Sequence, residues 1–203
     1  MNDTKNKIIN SYLVLGAQKG YDNISLSEIA TYTGIKKASI FSHFKSYEEI
    51  KTESVNFLIS TLRELNKKSI NIPINNNHKI ILELSLNSFL NTLISEPVIY
   101  LICMIEQKRT YNKEFKKLSD DIVFMIYSRL EVAFDLMGYS ENADIYSNIL
   151  TSSVNEILSN YSATFSTTYR EDIFEKKIYE EYKKQALEDF SFLFDDFLLM
   201  IKK

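Results

Sequence analysis

Apolar residues along this chain recur at steps of three and four, and no run alternates polar with β-branched residues over the length of a strand. That period belongs to helices that bury one face, so the pattern predicts an all-α fold. A first helix is expected over 5–19, with Ile8, Ile9, Tyr12, Leu13 and Gly16 on one side and Gly20 as its left-handed stop. After a loop at 21–24, Ser25-Leu26-Ser27-Glu28 has the form of a capping box, in which serine and glutamate satisfy each other's backbone N–H groups. It opens a short second helix ending near Thr33. Gly34 stands where a tight turn between helices calls for a positive φ, and 35–44 supplies a third helix with Ile40 and Phe44 facing inward. A second capping box, Ser46-Tyr47-Glu48-Glu49, opens a long fourth helix through Ile50, Val55, Leu58, Ile59, Leu62 and Leu65.

Pro73 and three consecutive asparagines mark 71–77 as a linker. Beyond it the period predicts helices over 78–95, 97–109, 113–137, 142–168 and 172–203. Pro97 suits a first helical turn, and Gly138 a helix end. The expected organisation is therefore a three-helix head over 1–50, joined by the long fourth helix to a larger helical body over 51–203. The Lys and Glu run between Glu171 and Lys184 reads as a solvated helical face.

Composition narrows the function classes. Four glycines and two prolines in 203 residues suit helices, and 45% apolar residues can fill a substantial core. Cys103 stands alone, so no internal disulfide can form. With a polar amino-terminal stretch and no apolar run long enough to span a bilayer, a cytoplasmic protein without a membrane segment is expected; Asp195 and Asp196 interrupt the nearest run, 190–201. With only His43, His78 and one cysteine, no phosphate-cradling glycine loop and no metal-ligand spacing, nothing assembles a catalytic set, a metal site or a cofactor site. The carboxylate pairs Asp120-Asp121 and Asp195-Asp196 read as solvated charge. The net charge of −3 is unevenly spread: Met1 to Lys51 holds seven lysines against five acidic residues, while the remainder is acidic by five charges. A basic head on an acidic body suits a head that meets DNA.

The ordered set Ile8-Ile9, Leu13, Gly20-Tyr21, Ser25-Leu26-Ser27-Glu28-Ile29-Ala30, Gly34-Ile35 and Ile40-Phe41-Ser42-His43-Phe44-Lys45-Ser46 resembles the helix-turn-helix head of the TetR family of bacterial repressors. The resemblance covers about a fifth of the chain. It implies that 35–44 is a recognition helix entering the major groove of double-stranded DNA, with Lys36, Lys37, Ala38, Ser39, Phe41, Ser42 and His43 as candidate contacts. His43 could equally pack against the fourth helix. The chain departs from the family pattern at four places. Phe41 replaces a usual tyrosine, and Tyr47 replaces a lysine that touches phosphate, so its hydroxyl is expected to take over that contact. Lys36 stands where Ser or Thr caps the recognition helix, so the cap is expected to be missing. Tyr12 and Gly16 exchange the usual small and large residues, so the Tyr12 ring is expected to fill the space beside Gly16.

For the body the resemblance implies a pocket for a small, largely apolar effector and a two-fold homodimer built from the last two helices. Phe89, Tyr100, Cys103, Met104, Phe124, Met125, Tyr127 and Tyr161 are the candidate pocket residues, although the same stripe would serve as plain core. Val154, Ile157, Tyr161, Phe190, Phe194 and Phe197 are the candidate interface residues, since the apolar band of the last helix is broad for a simple surface helix. Arg129 and Glu106 fall within apolar patterns, yet exposure is the ordinary state of such groups and is expected here. The competing reading is a helical interaction adaptor that keeps the head without binding DNA.

Overall fold

Asp3–Lys19 forms α1, and Leu26–Thr33, Lys37–Ile40 and Tyr47–Asn66 form α2, α3 and α4. His78–Leu93, Val98–Lys108 and Lys113–Leu136 follow as α5, α6 and α7. A 3₁₀ turn at Ser140–Asn142 leads into α8, Ala143–Thr168, and the chain ends with α9, Lys176–Ile201. This computed structural model describes residues 3–66, 77–96, 98–168 and 176–202, and no strand occurs among them. The expected linker before Asn77, the Pro97 position and the start of the last predicted helix lie outside the described residues.

The helices begin where local chemistry satisfies their free N–H groups. At α2 both halves of the capping box are made: Ser25 Oγ accepts from the Glu28 N–H at 3.2 Å, and the Glu28 carboxylate accepts from the Ser25 N–H at 2.8 Å. Asn77 and Asn112 cap α5 and α7 in the same way, each accepting from two following N–H groups. At α4 the Ser46 hydroxyl accepts from the Glu49 N–H at 3.1 Å, while the Glu49 carboxylate takes the N–H of Lys45 rather than that of Ser46.

The Glu28 carboxyl is held down to about 2, first by the Ser25 N–H and then by Lys19, whose ammonium lies 3.0 Å away. Because the folded value lies below the ordinary 4.5, this contribution is complete above about pH 5 and is lost as pH falls toward 2. Ser25→Ala is expected to cost about 0.5–2 kcal/mol at neutral pH, with a smaller penalty below pH 4, read from urea unfolding of the two proteins.

Helix α6 occupies the centre. All eight residues from Val98 to Ile105 are buried, because α1, α4, α5, α7 and α8 surround it. A helix that is apolar on all sides needs such a position. Helices α7 and α8 make the most extensive pair, and α9 closes the body against α5 and α8. The Tyr179 hydroxyl on α9 donates to the Ile94 carbonyl at 3.1 Å and accepts from the Glu96 N–H at 3.0 Å, pinning the turn between α5 and α6.

Arg129 departs from expectation by being buried. Its guanidinium lies 4.2 Å from the centre of the Phe89 ring and donates to the Met125 carbonyl at 3.0 Å. Cation–π attraction and weak guanidinium hydration make arginine the cation best suited to such a place. Glu106 is half-buried and pairs with Arg109 at 3.0 Å.

Candidate nucleic-acid interface and effector cavity

Gly34 ends α2 with φ of 75°, and the Ile35 N–H reaches back to the Ala30 carbonyl at 3.0 Å. This left-handed stop turns the chain within two residues and sends α3 off at a new angle. Regular α-helix there covers only Lys37–Ile40, shorter than the expected 35–44. The N–H groups of Phe41, Ser42 and His43 bond three residues back, to Ala38, Ser39 and Ile40. The segment is therefore one helical path whose second half is wound tighter, a 3₁₀ ending. Lys36 sits at the cap position with extended backbone and makes no side-chain cap, as its lack of an acceptor dictates.

Ile40 and Phe44 are buried and hold this segment to the head. Lys36, Lys37, Ala38, Ser39, Phe41 and Ser42 are exposed, and His43 is half-buried. Neither Lys36 nor Lys37 forms an ion pair among the described residues, and the Phe41 ring is 51% exposed. The Ser42 hydroxyl donates to the Ser39 carbonyl at 2.7 Å, which leaves it as an acceptor.

Two expectations for the head are corrected. The Tyr47 hydroxyl does not project from the start of α4 but donates to the Ile24 carbonyl at 2.5 Å, with its ring edge-on to Tyr12 at 6.2 Å. Its proton braces the loop before α2 and is not free for a phosphate. The space beside Gly16 is filled by Tyr21 rather than Tyr12. A Cβ on Gly16 would lie 2.0 Å from the Tyr21 ring, whereas Tyr12 packs behind that ring at 5.8 Å. Both tyrosines are buried, and the Tyr21 hydroxyl lies between the Leu13 carbonyl at 3.0 Å and the Tyr100 carbonyl of α6 at 2.8 Å. The tyrosine after the Gly20 stop thus joins head to body.

A cavity of about 560 Å³ opens between α1, α4, α6 and α7, a volume typical of small-molecule sites. Of the eight candidate pocket residues it is lined by Met104 and Met125 alone. Phe89, Tyr100, Cys103 and Tyr161 are core, the Cys103 thiol being pushed up to about 12 by burial. Phe124 is 66% exposed and stacks on Tyr127 at the surface of α7, while the Tyr127 hydroxyl donates to Asp144 at 2.8 Å. The walls come instead from α4, through Val55, Ile59 and Leu62, and from Phe115 and Leu118 of α7. Lys51, Arg63, Lys108 and Lys117 also line it, against Glu114 and Asp121. This charge is a poor match to a largely apolar effector.

The candidate interface residues also turn inward. Val154, Tyr161, Phe190, Phe194 and Phe197 are buried within the protomer, and Ile157 is partly buried against the same core. The apolar side chains that α8 and α9 leave outside are Ile145, Ile149, Phe192, Leu199 and Met200. No single helix among the described residues is long and apolar enough to cross a membrane.

Residues 8–51 match the family described as bacterial regulatory proteins, tetR family. Over 51 residues, 25% of this chain, the sequence is 45% identical to the biofilm operon icaADBC HTH-type negative transcriptional regulator IcaR of Staphylococcus aureus and 43% identical to its Staphylococcus epidermidis counterpart. The match spans about a quarter of the length of these relatives, 27% and 28%. The whole fold is similar to a solved transcriptional regulator from a Rhodococcus species, with a TM-score of 0.56 over 96% of both chains at 12% identity. A TerR/AcrR family regulator from Aquifex aeolicus gives 0.51 over 91% of this chain and 96% of its own at 23% identity. Residues 8–51 are thus similar to the helix-turn-helix head of the TetR family of bacterial regulatory proteins.

Proposed function

We propose that this protein is a cytoplasmic homodimeric repressor that holds a palindromic operator through the segment from Lys36 to His43 and lets it go when a small molecule enters the cavity beside α4. The observation that carries this reading is the exposed face of Lys36, Lys37, Ser39, Phe41 and Ser42 on a helix fixed from behind by Ile40 and Phe44. Lysine ammonium groups suit phosphate or the O6 and N7 of guanine, and an exposed phenyl ring suits a thymine methyl. The sign of regulation follows the Staphylococcus relatives, named as negative regulators and matched over the head alone.

The inward hydroxyl of Tyr47 weakens the case for an adaptor with a degenerate head. That departure from the family pattern has a structural role of its own in bracing the Ile24 carbonyl. A dimer would place two recognition segments about 34 Å apart on successive turns of one face of the duplex. For an effector to relieve repression it must bind two conformers with different affinity, since tight binding alone shifts nothing. Helix α4 lines the cavity and continues directly from the head, so it is the element through which such a difference would pass.

Selection of genomic fragments by the purified protein at low salt tests the reading. Enrichment of a palindromic site is the expected result. Failure to enrich any site would favour the adaptor.

A further inference from the structure

The cavity wall is chemically divided. Val55, Ile59, Leu62, Met104 and Phe115 give it an apolar interior, and two methionines, Met104 and Met125, can repack around varied shapes. Four cations against two carboxylates give it a positive balance, set in a body that is acidic overall. An opposite sign concentrated in a cleft focuses field and favours anions there.

Lys108 is the residue that gives this charge a consequence. It lines the cavity from the end of α6 and is paired at 2.6 Å with Asp22, in the turn that joins α1 to α2. The two partners are unequally placed. The Lys108 side chain is only 15% exposed and needs a counter-charge, whereas that of Asp22 is 60% exposed and can return to water at little cost. Lys51 of α4 also acts on Asp22: the carboxyl lies below its ordinary value chiefly through the Lys108 hydrogen bond, with further lowering by the charges of Lys108 and Lys51. The remaining side-chain contacts between this turn and α6 are weaker or lie deeper, at Gln107 and at the Tyr21 hydroxyl.

We infer that the cavity takes an anionic amphiphile, an apolar chain ending in one anionic group, whose anion replaces Asp22 on Lys108 and so removes the ion pair that ties the α1–α2 turn to α6. This rests on the regulatory reading above and assigns its effector class and its trigger. The apolar part lies along α4, where Lys51 and Arg63 are separated by three helical turns, about 18 Å. The anion exchanges one partner of Lys108 for another. The head then loses an ion pair to the body, and the positive cavity rejects cations.

The test is calorimetric titration of the full-length protein with octanoate, dodecanoate and hexadecanoate, with dodecan-1-ol and dodecyltrimethylammonium as uncharged and cationic counterparts. At least one carboxylate is expected to bind one per chain, about tenfold or more tighter than the alcohol or the cation. Lys108→Gln should weaken the carboxylate about tenfold and leave the alcohol unchanged, and Asp22→Asn should tighten it about two- to fivefold by removing the competitor. A gain on losing Asp22 is not what damage to the fold would produce. Absence of carboxylate binding, equal affinity for the alcohol or cation, or weaker binding by Asp22→Asn would overturn the inference. Binding of the selected DNA fragment by the same samples without amphiphile is scored separately: its loss would sink the regulatory reading and leave the cavity result standing.

Discussion

Tyr21→Ala is expected to lower unfolding stability by about 3–5 kcal/mol, the range for emptying a buried aromatic site. The ring is 1% exposed, lies against the open side of Gly16 and packs on Tyr12, so its removal leaves a void that backbone on both sides keeps from collapsing. The hydroxyl is lost with it, and with that its contacts to the Leu13 and Tyr100 carbonyls. Gly16→Ala supplies the complement. Alanine ordinarily stabilises a helix interior by about 1 kcal/mol over glycine, yet here the new Cβ would sit 2.0 Å from the Tyr21 ring. The wild-type background should therefore show a loss of about 1–3 kcal/mol from overpacking. In the Tyr21→Ala background the same change should recover its ordinary favourable sign. Denaturant unfolding of the four proteins reads this coupling, and simple additivity would mean that Tyr21 does not occupy the space beside Gly16.

In the proposed dimer, Phe192→Asp combined with Leu199→Asp is expected to yield monomer and to lower affinity for a full palindromic operator by about 100-fold or more, the loss that follows when two linked sites act singly. Both side chains are more than 60% exposed on α9, so the protomer itself should change little in stability. The same charges at buried Phe194 would unfold the body instead, which is why the outward positions are the informative ones. Sedimentation velocity and operator titration of the doubly substituted protein read the two effects. A variant that remains dimeric with full operator affinity would place the interface elsewhere.

The sequence made the head more legible than the body for a physical reason. Caps, a left-handed glycine and short apolar spacing are local signals, and they located α1, α2, α4 and the turn at Gly34. Helical period in the body located α5 to α8 closely, but a period says which positions are apolar and not which neighbour each apolar side meets. Phe190, Phe194 and Phe197 therefore looked available for a partner, although they fill the protomer's own core. Most of the cavity's wall was missed in the same way. The wall comes from four helices spread along the sequence, and its cations are indistinguishable in a linear pattern from solvated lysines and arginines. Within the head, the exchange at Tyr12 and Gly16 correctly signalled compensation by a ring. The wrong ring was chosen because Tyr21 lies in a loop, outside the helical spacing that ties Tyr12 to Gly16.

The central claim is that the segment after Gly34 meets DNA through its lysines. The most direct measurement is affinity for the selected palindromic fragment across a salt series, for the wild type and for Lys36→Gln and Lys37→Gln. Binding should weaken linearly in the logarithm of salt, and each substitution that removes a phosphate contact should reduce the slope by about 0.9. Slopes unchanged by both substitutions, or equal affinity for the palindrome and a scrambled fragment, would contradict the account.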